Sequence, residues 1–141
     1  MITRDLSYEF SASKAVILDT VDIENMSESN HRQGIAMYNI FVPLNLNDGE
    51  PVSESKLKWV RSEILHYFGA GTILPPSDGL WVSSVGQIFH DRVMPIWVAA
   101  PVNQKTEASL YELAYKLATL FEQEEIFIYR MPISLMSIDP V

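Results

Sequence analysis

The amino-acid sequence predicts an α+β fold: a ferredoxin-like βαββαβ sandwich, with two helices on one face of an antiparallel sheet and an N-terminal strand arm. Three observations carry that expectation. From residue 35 the hydrophobic patterns run strand, helix, strand, strand, helix, strand, the split βαβ order. Two segments show helical periodicity, and they alternate with β-branched and aromatic runs bounded by turn residues. The chain has 141 residues, 48% hydrophobic and 20% charged, which suits a globular domain with a single core.

Residues 1–34 read as an arm and linker. "LSYEF" alternates, "AVILDTV" is a β-branched apolar run, and "DIENMSESNHRQG" is polar without a period. The compact domain is expected over residues 35–141. "IAMYNIFVPLNL" is apolar on both faces, as an interior strand requires, and runs into the turn signal "NDGEP". In the first helix Ser53 is placed to cap the N-terminus and Gly69 to close the C-terminus. Leu57, Val60, Ile64 and Tyr67 or Phe68 form its apolar stripe.

"GAGTILPPSDG" reads as a turn-rich loop, "LWVSSV" as a strand and "IWVAA" as the next. Residues 85–92 are expected to make the reversal between them, with His90 and Asp91 facing solvent. Proline is disfavoured in central strands, so Pro95 is placed at the strand entrance. The second helix, capped by Asn103 or Thr106, carries Leu110, Leu113, Ala114, Leu117, Leu120 and Phe121 on one broad stripe. "EEIFIYRMPISLM" is the last strand, and Pro132 marks its later half as an edge or bulge.

The residues Gly79-Leu80-Trp81, Gly86-Gln87-Ile88, Asp91 and the run Ile96–Ala100 form one pattern. Val52-Ser53-Glu54 lies upstream of it, and Phe121-Glu122-Gln123-Glu124 and Pro132 downstream. Over roughly residues 37–135 this pattern resembles a family of small uncharacterised bacterial proteins, a domain of unknown function often seen in secreted or lipid-anchored form. The chain departs from that family at Leu80, where glutamine is commoner, and it lacks the lipobox cysteine and leader. The resemblance implies a ferredoxin-like fold and brings no activity, cofactor or site residue with it.

Composition narrows the function classes. With 18 acidic against 10 basic residues the net charge is -8, which repels phosphate backbones and anionic lipid. Nucleic-acid and membrane partners are therefore not expected. Cysteine is absent, which removes disulfides, thiolate nucleophiles and cysteine-ligated zinc. The N-terminus has no apolar h-region, and the longest apolar run, Val93–Val102, is too short to span a bilayer. A cytoplasmic protein is the expectation. No phosphate loop, dinucleotide fingerprint or nucleophile elbow is present. His31, His66 and His90 lack zinc spacing. No cofactor and no metal are called for.

Four constellations remain. His90 beside Asp91 and Arg92 has the residue types of a general base, but neighbours on a strand point to opposite faces, so they cooperate only in a turn. Trp81 and Trp97, on adjacent strands, could share a face and suit a planar ligand or a partner. Glu122, Glu124 and Glu125 oppose the dipole at the end of the second helix and read as a solvated helix end. Tyr129 and Arg130 point to opposite faces of the last strand. An inward Arg130 would need a carboxylate or an anionic ligand, so the outward orientation is expected.

The reading that follows is a non-enzymatic module that forms a homodimer or larger homo-oligomer or binds a protein partner. The alternative is a small cofactor-independent enzyme or small-molecule binder with a pocket on the open sheet face. Its candidate residues are Trp81, His90, Asp91, Trp97, Tyr129 and Arg130.

Overall fold

A computed structural model describes residues 15–19 and 34–136. In chain order these form β1 (Ala15–Asp19), β2 (Ile35–Pro43), α1 (Glu54–Phe68), β3 (Thr72–Ile73), β4 (Ser77–Val82), β5 (Ile88–Pro101), α2 (Gln104–Leu120) and β6 (Ile126–Ile133). The strands make one sheet in the order β1-β6-β2-β5-β3, with β4 also paired to β5. The β2, β5 and β6 pairings and the β3–β5 and β4–β5 pairings are antiparallel, and β1 runs parallel to β6 at the edge. From β2 onward this is the ferredoxin-like arrangement that the element order predicts.

Strict alternation sorts the strand residues into two faces. Ala36, Tyr38, Ile40 and Val42 of β2, Met94, Ile96, Val98 and Ala100 of β5, and Ile126 and Ile128 of β6 are buried. They form one core with Val60 and Ile64 of α1 and with Leu110, Leu113, Ala114, Leu117 and Ala118 of α2. Both helices therefore lie on that face. Each fully buried leucine contributes on the order of 2 kcal/mol of transfer free energy.

The helix ends follow local chemistry. The Ser53 hydroxyl accepts from the Lys56 N–H, and Gly69 closes α1 in the left-handed conformation at φ 76°, where a side chain would be strained. Asn103 caps α2, its Oδ1 accepting from Thr106 N at 2.8 Å. At the far end of α2 the left-handed position is held by Glu122, at φ 55°. Gln123 N donates to Ala118 O at 2.9 Å across it, and the Asn47 carboxamide donates to the Glu122 carbonyl.

Four expectations need correction. The segment "GAGTILPPSDG" is not only a loop: it holds β3 and the first residues of β4, interrupted at Leu74–Pro76. The reversal is shorter than residues 85–92. It spans Ser83–Gln87, closed by Ser83 N donating to Gln87 O at 2.8 Å, with Gly86 at φ 84°. Residues 88–92 are already in the ladder, because Ile88 and Phe89 find strand partners in Val82 and Trp81.

Pro95 is not at the strand entrance but inside β5, opposite Phe41 of β2. Its carbonyl accepts from Leu74 N, so its missing N–H faces the gap between β3 and β4, where the ladder is interrupted anyway. The fourth correction is Arg130, which points inward and is only 3% exposed. Ile126 and Ile128 must face the core, and the same parity carries Arg130 with them.

Pro132 behaves as the sequence suggests. It pairs with Ala36 of β2, while the β1 register on the other side stops at Arg130, so β6 is an edge there among the described residues. The described part of the N-terminal arm, β1, extends the sheet sideways and does not cover its open face. "LSYEF" and the linker lie outside the described residues.

Candidate functional site

The face of the sheet opposite the helices is built from the odd-numbered positions. From β2 it takes Met37, Asn39 and Phe41, from β5 Trp97, and from β6 Phe127, Tyr129 and Met131. Trp97, Phe127, Tyr129 and Met131 are between 38% and 42% exposed, as expected of large side chains standing on a face that no helix among the described residues covers. Register fixes the centre of this surface. Asn39 is the partner of Trp97 across β5 and of Tyr129 across β6. The three therefore form one row across three strands. Phe41 packs edge-on against Tyr129, with ring centroids 5.2 Å apart, and fixes that wall of the row.

A second apolar region lies on the β4–β5 hairpin, beyond the core. Leu80, Val82 and Ile88 are exposed on one of its faces. On the other, Trp81 stacks on Phe89, centroids 4.2 Å apart and planes 12° from parallel. The Trp81 indole Nε1 also donates to Asp91 Oδ2 at 2.7 Å. A β-strand advances about 3.3 Å per residue, so the eight positions from Phe89 to Trp97 separate the two aromatic sites by about 26 Å. Trp81 and Trp97 do not form one patch.

The six sequence candidates thus fall into three places. Trp97 and Tyr129 flank Asn39 on the open face. Trp81 and Asp91 are joined on the hairpin, while exposed His90 stands on the hairpin's other face, opposite Leu80. Arg130 is in the core, its Nη1 donating to Tyr38 Oη at 3.4 Å and its guanidinium 5.8 Å from that ring's centroid. Sequence reasoning missed Asn39 and Phe89. The available signal for Asn39 was a lone carboxamide in the apolar run "AMYNIFV".

Elsewhere the two helices are tied together by Lys116. Its Nζ donates to Tyr67 Oη at 2.8 Å and to Glu63 Oε1 at 3.1 Å. The Tyr67 hydrogen bond, then the Glu63 hydrogen bond, holds the ammonium well above the usual lysine range. Among the described residues no cluster of three or more His, Asp or Glu side chains could hold a metal ion. No helix among them is long and apolar enough to cross a membrane.

Fold and surface together define a small ferredoxin-like α+β protein with a largely apolar sheet face that no helix among the described residues covers. Comparison with protein-family models and with curated proteins returns no match. Solved structures do match. A phage SAM lyase in complex with S-methyl-5'-thioadenosine is 17% identical, with a TM-score of 0.53, over 77% of this chain and 92% of that one. The divalent cation tolerance protein CutA1 from Thermus thermophilus is 14% identical, with a TM-score of 0.51, over 73% of this chain and 87% of that one. CutA1 from Oryza sativa has the same identity and TM-score, over 77% and 87%. At these identities the likeness establishes the fold.

Proposed function

We propose that this chain is a non-enzymatic, self-associating module, and that its projecting β4–β5 hairpin docks on a second copy of the chain. One observation carries the reading: the hairpin presents apolar side chains on both faces, Leu80, Val82 and Ile88 on one and Trp81 with Phe89 on the other. A two-stranded ribbon is marginal in water by itself, and exposed apolar patches of this kind mark association surfaces. The ribbon's charges are mixed, with Asp78 opposite Arg92 in register. They select neither a basic nor an acidic partner, whereas a second copy offers the same apolar ribbon in return. The fold neighbours include a lyase and cation-tolerance proteins, so fold alone does not choose the class of function. A bacterial origin and a cytoplasmic setting belong to the same proposal.

Sedimentation at micromolar concentration tests it. The expected result is a dimer or larger species that the double substitution Val82→Lys and Ile88→Glu converts to a folded monomer. A monomeric parent protein at that concentration defeats the reading. A hetero-partner would then be the remaining use for the ribbon.

A further inference from the structure

Gly79 is the residue of the β4–β5 hairpin that its own chain does not explain. Glycine weakens a strand interior and often marks the close approach of another backbone or side chain. Gly79 lies within β4 and is not among the glycines at positive φ. A Cβ built on it would meet only the Asp91 carbonyl oxygen, at 3.5 Å, an ordinary contact distance. An alanine would fit, so nothing among the described residues requires a position without a side chain.

Hydrogen-bond parity shows what Gly79 lies beside. Ser83 N donates to Gln87 O, which makes Ser83 and Gln87 a bonded pair. Bonded pairs alternate along an antiparallel ladder, so Trp81–Phe89, Gly79–Asp91 and Ser77–Val93 are bonded as well. The backbone N–H and C=O groups of Asp78 and Leu80 therefore point away from β5. On that side β4 has no strand neighbour among the described residues. Other edges are blunted by proline. β3 runs into Pro75-Pro76. Pro132, opposite Ala36, turns its missing N–H away from β2, because Leu44 N bonds to Arg92 O and so commits the even positions of β2 to β5. β4 carries neither proline nor lysine, and its Leu80 is exposed.

We propose that β4 pairs antiparallel with β4 of a second copy, about a two-fold axis through Leu80, so that the two sheets run on as one. The inference rests on the self-association reading and gives it a geometry. A two-fold contact uses the same residues from both copies, which leaves few registers. Centring on Asp78 sets two carboxylates face to face, which is unfavourable. Centring on Gly79 sets two glycines opposite each other and an aspartate opposite each Leu80. Centring on Trp81 sets Gly79 opposite Ser83 and leaves its missing side chain unexplained. Centring on Leu80 lets the two Leu80 residues exchange both outward backbone hydrogen bonds. It also sets Gly79 opposite the second copy's Trp81 in the flanking non-bonded pairs, where side chains stand closest. The bare backbone of Gly79 then leaves that indole room to lie across the strand. On the hairpin's other face the two Leu80 side chains join the strip of Val82 and Ile88. The central pair does not call on Val82, which has an interaction of its own.

The chain has no cysteine, so single cysteines report the pairing directly. Bonded partners have Cα atoms about 5.5 Å apart, within the disulfide range of about 4.4–6.8 Å. Leu80→Cys should therefore cross-link into a dimer with diamide as oxidant at micromolar concentration. His90→Cys, on the same face of the hairpin, should not, because the two His90 positions stand three strand spacings apart, about 14 Å. In sedimentation, Gly79→Val should weaken the dimer by about tenfold or more, as a clash with the second copy's indole. Leu80→Pro, which removes an outward N–H, should give a folded monomer, while Leu80→Val should remain a dimer. A monomeric parent protein overturns this pairing together with the self-association reading. A parent dimer that Val82→Lys with Ile88→Glu dissociates, but that fails to cross-link at Leu80→Cys or is unchanged by Gly79→Val, overturns this pairing alone. If Gly79→Val or Leu80→Pro does not fold, the two cysteine variants decide.

Discussion

The Trp81 indole donates to the Asp91 carboxylate across the β4–β5 ladder at 2.7 Å, while its ring lies flat on Phe89. The two contacts use different parts of one side chain, so they can be separated. Asp91→Ala leaves the stack and removes the hydrogen bond, for an expected loss of about 0.5–1.5 kcal/mol. Faster amide exchange confined to the hairpin should accompany it, measured against Trp81→Phe in a double-mutant cycle. Additive losses would mean that the hydrogen bond does not stabilise the ribbon.

Leu113 and Leu117 are at most 1% exposed in the middle of α2. Leu113→Ala and Leu117→Ala should each destabilise by about 2–5 kcal/mol in denaturant melts, the usual range for emptying a buried leucine site. A loss below about 1 kcal/mol at both would contradict the orientation of the helix.

Gly71 is a position of close approach. A Cβ there would stand 2.8 Å from Ile64 Cγ2 and 3.6 Å from Ile96 Cγ2, both in side chains held in the core. Gly71→Ala is expected to cost about 1–3 kcal/mol as overpacking. Adding Ile64→Val, which keeps a methyl at the contact, should recover less than Ile64→Ala does.

Glu122 should gain from losing its side chain. It occupies the left-handed position after α2 at φ 55°, and its carboxylate opposes the helix dipole. Glu122→Gly is expected to raise stability by about 0.5–1 kcal/mol, read as a higher denaturant midpoint at unchanged slope.

The Lys116 link between the helices gives a pH dependence with a definite sign. Its folded pKa lies above the ordinary lysine value of 10.5, so folding favours the protonated form. The contribution is complete below 10.5 and is lost as the pH rises through the higher folded value. The stability difference between the parent protein and Lys116→Met should be flat from neutral pH into the mildly alkaline range. It should shrink only above the ordinary lysine value. A difference that shrinks at neutral pH would point to another group.

The sequence by itself determined the order of elements, because each rests on local physics. Helical spacing marks α1 and α2, Ser53 and Asn103 supply the caps, and Gly69 supplies the left-handed stop. Alternation also placed Trp97 on a strand where it could face outward, whereas Tyr129 faces outward against expectation, because Arg130 beside it is the residue that turns inward. Tertiary structure decided what pairing alone can decide. Pro95 sits inside β5 because the interruption at Leu74–Pro76 removes the demand for its N–H, a fact about another segment. Arg130 is buried because its parity is locked to Ile126 and Ile128, and the Tyr38 ring and hydroxyl lie beside it. Trp81 found Phe89 and Asp91 rather than Trp97, because the tight Ser83–Gln87 turn sets the register. Asn39 became the centre of the open face only when β5 and β6 were laid on either side of β2. The row of Trp97, Asn39 and Tyr129 is made of residues separated by dozens of positions, and it exists because backbone hydrogen bonds between strands, not neighbours along the chain, bring them into line.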